Sequence, residues 1–297
     1  MQDGRRQREG AVQAEADNAM RKLSGRQASP GGGEVYTCSW HPAGRARGAV
    51  VLVHGLAEHS GRYGELVARL VARGLAVYAL DHRGHGRTAG PRAMIGRFQW
   101  LVIDVATRLA AAQAEHPGRP VILLGHSMGG AVALATALGF PGLSTGLVLS
   151  APALGAGPAT STPLRVWVAR RLSKLVPTVG VLRLPAAAIS SDPAVVRDYE
   201  EDPLVHHGSI PARTAVELLE AMAGFPALGS RLQLPTLVLH GTADRLVPIE
   251  FAEPVWQRFG SKDLTVHRYQ GFFHEVFNEP ERARVHADLD AWLDQRL

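Results

Sequence analysis

Ser127, Asp244 and His274 are the residues whose types and order could do chemistry together. Ser127 is the centre of Gly125-His126-Ser127-Met128-Gly129, Asp244 closes Gly241-Thr242-Ala243-Asp244, and His274 closes Gly271-Phe272-Phe273-His274. A serine hydroxyl is a poor nucleophile at neutral pH. An imidazole has to take its proton during attack on an ester carbonyl and return it to the leaving alcohol. A carboxylate then holds that imidazole in the right tautomer and stabilises its charged form. The tetrahedral oxyanion needs two backbone N–H donors, and the best placed are Met128, where the helix after the serine begins, and Leu56, in a loop after an earlier strand.

The pentapeptide alone is a weak signal, because a chain with 32 glycines produces such a pattern by chance often enough that context has to decide. The context is an apolar run at 121–124 before it and the helix-forming stretch 131–135 after it, which predicts strand, tight turn and helix. A serine at that apex is strained and exposed, and only glycine at the outer positions lets strand and helix approach so closely. An ordinary helix-capping serine would not need both glycines. Asp263 precedes its strand and Asp202 lies outside the sheet pattern, so Asp244 is the better acid. Among rival histidines, His286 falls inside a helix, His267 inside a strand and His240 at a strand end where packing or a backbone bond is expected. His54, His82, His85 and His126 are expected to shape loops.

These residues need a scaffold, and the chain supplies one. Continuous apolar runs at 49–53, 75–80, 121–124, 146–149 and 236–240 suit strands buried on both faces, and 264–269 continues the series. Amphipathic helical patterns alternate with them at 63–73, 98–114, 249–259 and 280–296, so a parallel sheet covered by helices on both faces is predicted. Residues 34–40 alternate in the manner of an edge strand, and 1–33 read as a disordered polar leader without the apolar region of a secretory signal. From 152 to 230 the rhythm breaks into prolines and short helical patterns, which predicts a cap inserted into one core made of 34–151 and 231–297. The three candidate residues all fall at carboxyl ends of predicted strands, where the loops of an α/β sheet converge.

Composition excludes several function classes. At 46% hydrophobic and 20% charged, with no apolar run near eighteen residues, the chain reads as globular rather than membrane-spanning. The net charge of +5 sits partly in the leader, at Arg5, Arg6, Arg8, Arg21, Lys22 and Arg26, and leaves no basic stripe for nucleic acid. Cys38 is the only cysteine, so no internal disulfide or multi-cysteine zinc site can form. His206 and His207 are adjacent, a poor metal spacing, and His274-Glu275 lacks the second histidine of a zinc helix. In Gly84-x-Gly86 the third glycine, Gly90, comes one residue late for a dinucleotide loop. Neither a metal nor a cofactor is expected, and cytoplasmic placement is.

Together, His54-Gly55-x-x-Glu58-His59-Ser60-x-Arg62-Tyr63, Asp81-His82-x-Gly84-His85-Gly86, Gly125-His126-Ser127-Met128-Gly129-Gly130, Asp202-Pro203-Leu204, Gly241-x-Ala243-Asp244 and Gly271-x-x-His274 resemble the monoacylglycerol lipase branch of the serine α/β-hydrolases, from residue 34 to the end. The resemblance implies an eight-stranded sheet, a cap over the site, and cleavage of monoacylglycerols to fatty acid and glycerol. It implies the triad Ser127, Asp244 and His274 and the oxyanion donors Leu56 and Met128. It also implies that Glu58 and Tyr199 bind the glyceryl hydroxyls, with Arg62 supporting them from behind. Where some members carry a second histidine three residues after the catalytic one, this chain has Phe277.

The cap helix 164–176 can be read from its own pattern. Leu164, Val168, Leu172 and Leu175 share a face, with Arg170, Arg171 and Lys174 largely away from it and Trp167 nearby. The plainer expectation is a helix packing that apolar face on the core; the alternative is peripheral contact with an anionic membrane. A lysophospholipase, a broad carboxylesterase or an acyltransferase could use the same triad, and a binding protein could keep the fold without turnover.

Overall fold

A computed structural model describes residues 20–157 and 162–297. In chain order its strands are β1 (Met20–Ala28), β2 (Glu34–Pro42), β3 (Gly48–Val53), β4 (Leu75–Leu80), β5 (Val121–His126), β6 (Gly146–Ser150), β7 (Gly180–Leu182), β8 (Ile210–Pro211), β9 (Thr236–Gly241) and β10 (Leu264–Tyr269). Its α-helices are α1 (Gly64–Ala72), α2 (Phe98–Glu115), α3 (Met128–Gly139), α4 (Pro163–Leu175), α5 (Pro193–Glu201), α6 (Ala212–Leu228), α7 (Ile249–Trp256) and α8 (Ala283–Asp294).

Strands β3, β4, β5, β6 and β9 are buried at every position, as their unbroken apolar composition requires of strands covered on both faces. Successive side chains alternate between the faces. Val50, Leu52, Val77, Ala79, Ile122 and Leu124 meet α1 and α8 on one side. Val51, Val53, Tyr78, Leu80 and Leu123 meet α2 and α3 on the other. The sheet order is β1-β2-β4-β3-β5-β6-β9-β10; the β1–β2 and β2–β4 pairs are antiparallel and the others parallel, so β2 alone runs against the rest. This is the eight-stranded α/β-hydrolase sheet, and it gathers the loops after β3, β5, β9 and β10 at one edge.

Two expectations need correction. Residues 34–40 do not form an edge strand, because β1 pairs with β2 along nine residues, from Met20 opposite Pro42 to Ala28 opposite Glu34. The stretch from 20 to 28 is therefore strand, not leader; the rest of the expected leader, 1–19, lies outside the described residues. Most of β1's side chains are exposed, so backbone pairing rather than an apolar pattern holds it, and its composition gives no sign of a strand.

The second correction concerns α4. Val168 and Leu175 are exposed, at 41% and 78%, whereas Ser173 is buried and Leu172 partly so. The helix lies beside α6, where Arg213 Nη1 donates to Ser173 Oγ at 3.4 Å and Arg170 pairs with Glu220 at 2.9 Å. Ser173 thus takes the inward face, while Val168 and Leu175 point outward.

Between β6 and β9, where the cap is expected, the described residues hold α4, α5, α6 and the short β7–β8 ribbon, none of which joins the main sheet. This insertion is tied to the core by the His206 N–H donating to Ala57 O at 2.8 Å and the Glu275 N–H donating to Ile189 O at 2.7 Å. His59 Nε2 meets Asp202 Oδ2 at 2.8 Å, while Asp202 Oδ1 accepts from the Leu204 N–H.

A severe steric constraint sits where β5 turns into α3. A Cβ on Gly129 would come within 2.1 Å of Val53 O, and one on Gly125 within 2.2 Å of Gly129 O. Backbone lies on both sides, so nothing flexible can move aside. Gly129→Ala is expected to destabilise the protein by more than about 3 kcal/mol, or to prevent soluble expression, as measured by urea unfolding against wild type.

Candidate active site

Ser127 occupies the turn with φ 54° and ψ −119°, a left-handed conformation that costs a non-glycine residue about 1–3 kcal/mol. The surroundings hold it there. Its N–H donates to Ser150 O at 3.0 Å, and its carbonyl accepts from the N–H groups of Gly130, Ala131 and Ala153. Its side chain makes no capping bond to the helix, so the hydroxyl is not spent as a cap.

His274 follows β10 and Asp244 follows β9. His274 Nδ1 lies 2.7 Å from Asp244 Oδ2, while Asp244 Oδ1 accepts from the N–H groups of Leu246 and Val247, each at 2.9 Å. Both residues are buried. Burial alone would raise the Asp244 carboxyl, but the neighbouring His274 and the bonds from His240, His274 and Val247 outweigh it and hold it below the usual carboxylate range. Burial would likewise lower His274, yet the Asp244 charge and hydrogen bond raise it above an ordinary histidine. With Nδ1 engaged, Nε2 is the nitrogen left to exchange a proton.

Ser127 and His274 line one cavity of about 700 Å³, together with Leu56, Glu58, Met128 and Tyr199. Among the described residues, neither the Leu56 nor the Met128 N–H has a hydrogen-bond acceptor. Away from Ser127 the lining is mainly apolar, with Ile189, Ile210, Leu218, Met222, Val247 and Phe251. The cavity thus joins the candidate nucleophile and two candidate oxyanion donors to a mainly apolar remainder.

The loop after β3 is braced from within. Glu58 Oε1 accepts from the Gly55 N–H at 2.5 Å and the Tyr63 hydroxyl at 2.6 Å, and Oε2 meets Arg62 Nη1 at 3.1 Å. Glu58 therefore anchors the stretch that carries Leu56 as well as facing the cavity. His54 bonds Gly55 O through Nδ1 and accepts the His82 N–H at Nε2, a loop-shaping role. His126 lies 4.7 Å from the His274 ring, and burial with the His274 charge pushes it down to about 3, so it stays neutral.

Glu275 is the residue at this site that sequence reasoning missed. It lines the cavity, and its carboxylate takes both Nη atoms of Arg62, one of them at 2.9 Å, and the Asn278 side-chain amide at 2.6 Å. Arg62 is thereby clamped between Glu58 and Glu275, 4.7 Å above the Tyr199 ring. Burial would lower the Arg62 guanidinium, but the two carboxylates more than offset it and keep it charged. The available signal was a glutamate directly after the candidate base, weighed only as part of a zinc helix.

If the Asp244 contact governs His274, its imidazole titrates above 6.5 in wild type and lower in Asp244→Asn, since removing a carboxylate removes what favours the protonated ring. Nitrogen-detected NMR of the histidine rings reads this directly, and should find the proton of the neutral form on Nδ1.

Residues 44–281 match the family model described as serine aminopeptidase, S33. The monoacylglycerol lipase of Mycolicibacterium smegmatis is 43% identical over 270 residues, 91% of this chain and 96% of that protein. Human monoglyceride lipase is 35% identical over 267 residues, 89% of this chain and 88% of its own. The crystal structure of Paleococcus ferrophilus monoacylglycerol lipase superposes with a TM-score of 0.78 at 30% identity, covering 93% of this chain and all of that one.

Proposed function

Because the chain belongs to the monoacylglycerol lipase family, within the serine aminopeptidase S33 group of α/β-hydrolases, we propose that it cleaves monoacylglycerols to fatty acid and glycerol through an acyl-enzyme on Ser127. The supporting observation is the cavity in which Ser127 and an aspartate-bonded histidine sit at the polar end of an apolar chamber.

In this reading His274 Nε2 takes the Ser127 proton as Oγ attacks the ester carbonyl. The Leu56 and Met128 N–H groups receive the oxyanion. Collapse of the tetrahedral intermediate breaks the ester C–O bond, and the imidazolium, steadied by Asp244, gives its proton to the departing glycerol oxygen. Water then enters, loses a proton to His274 and releases the fatty acid, restoring the serine. The apolar lining takes the acyl chain. Glu58, Tyr199 and the Arg62–Glu275 pair shape the end that receives glycerol.

The exposed apolar side chains support a finer reading, peripheral attachment to an anionic membrane. Trp167 (55% exposed), Val168, Leu175, Val176, Val181 and Leu182 lie open on α4 and the following segment, and Val181 and Leu182 also line the cavity. Arg171, Lys174 and Arg183 accompany them, with the Arg171 guanidinium 5.2 Å above the Trp167 ring. The cavity thus has part of its wall in the surface that would meet lipid. No helix among the described residues is long and apolar enough to cross a membrane.

A panel of monoacylglycerols, lysophospholipids and short p-nitrophenyl esters tests the reaction. Wild type should prefer medium- or long-chain monoacylglycerols, and Ser127→Ala should lose about three or more orders of magnitude in kcat/KM. Substantial activity in the alanine variant would overturn the mechanism, whereas cleavage of short esters alone would overturn only the lipid assignment. Co-sedimentation with anionic vesicles tests attachment: binding should fall several-fold in Trp167→Ser/Leu175→Ser, and equal recovery of wild type with and without vesicles refutes it.

A further inference from the structure

At the amino end of the parallel strands, away from the catalytic loops, His41, Glu115 and His116 converge. Ser39 stands opposite Tyr78 in the β2–β4 ladder, so His41, two residues further on, shares the sheet face that Tyr78 presents to α2. Glu115 is the last residue of α2 and His116 follows it. One candidate ligand atom from each of the three lies within 4.8 Å of the other two. The Tyr78 hydroxyl supports the group from below, donating to Glu115 Oε2 at 2.7 Å and lying 2.9 Å from His116 Nε2.

We propose that His41, Glu115 and His116 form a binding site for a zinc-class divalent cation, with solvent in the fourth position, that clasps the end of α2 to strand β2. Two imidazoles and a carboxylate are a donor set suited to zinc. A tetrahedral zinc ion sets its ligand atoms about 3.3 Å apart, against a present spacing of up to 4.8 Å, a difference within reach of side-chain rotation at a partly exposed position. His116 must turn from the tautomer that donates to Tyr78 to the one with its proton on Nδ1, which frees the Nε2 lone pair. The Tyr78 bond to Glu115 survives that change and keeps the carboxylate aimed.

Burial lowers both His41 and His116 below an ordinary histidine, so both are neutral and no proton has to be displaced from either at pH 7. The surrounding charge sharpens the choice of ion. Arg21 stands opposite His41 in the β1–β2 ladder, and the Arg108 guanidinium lies 4.9 Å from the Tyr78 ring, so two cations face the single carboxylate of Glu115. That field disfavours calcium or magnesium, which rely on anionic oxygen ligands, far more than an ion held by imidazole nitrogen. This departs from the expectation of no metal, which rested on spacing along the chain.

The test uses untagged full-length protein, stripped with chelator and dialysed against micromolar zinc, with bound metal counted by mass spectrometry and cobalt(II) as a spectroscopic probe. Wild type should bind about one zinc per chain and give the intense visible bands of tetrahedral cobalt. His41→Ala and His116→Gln should each lose both signals while keeping the wild-type melting temperature of the stripped form, and zinc should raise the melting temperature of wild type only. His206→Ala/His207→Ala should bind as wild type does. Failure of wild type to bind, or undiminished binding by both His41→Ala and His116→Gln, overturns the proposal.

Discussion

The close approach of α3 to the carboxyl ends of β3 and β5 is the constraint on which the site depends. Gly129 passes so near the carbonyls of Val53 and His54 that no side chain fits, and this contact forces the turn at Ser127 into a left-handed conformation. Four backbone hydrogen bonds to Ser127 absorb the resulting strain. The same contact brings the loop after β3 alongside the first turn of α3, so the N–H groups of Leu56 and Met128 reach one cavity. Displacing the helix would separate the proposed nucleophile from the proposed donors.

The insertion is fastened to the two loops that matter most for the proposed chemistry. One backbone bond joins His206 to Ala57, next to Leu56, and another joins Ile189 to Glu275, next to His274. The cavity wall and its reactive end are consequently one mechanical unit.

The strand, turn and helix around Ser127 were legible because their signals are local: an apolar run, two glycines and a helical pattern within twenty residues. Asp244 and His274 were legible because strand ends in a parallel sheet face one way. The geometry places both with Ser127 at that edge. What stayed hidden depends on partners far along the chain. Strand β1 is held by its backbone ladder and shows solvent-facing side chains. Helix α4 turns Ser173 inward because α6 lies close, against the order of hydrophobicity. Glu275 meets Arg62 across the fold, and His41 meets Glu115 and His116 only after β2 has paired with β4.

The Arg62 clamp has a consequence for the direction of traffic through the cavity. Two carboxylates flank one guanidinium, which leaves one formal negative charge at the end where the ester would be cut. A monoacylglycerol enters uncharged, but the fatty acid leaves as an anion. In a poorly solvated chamber, like charges repel strongly. On the proposed reading the product is therefore held less well than the substrate it came from, and the same repulsion resists fatty acid returning to acylate Ser127. The clamp would then speed release of the fatty-acid anion, without altering the equilibrium of the reaction, and discourage esters whose head groups carry phosphate.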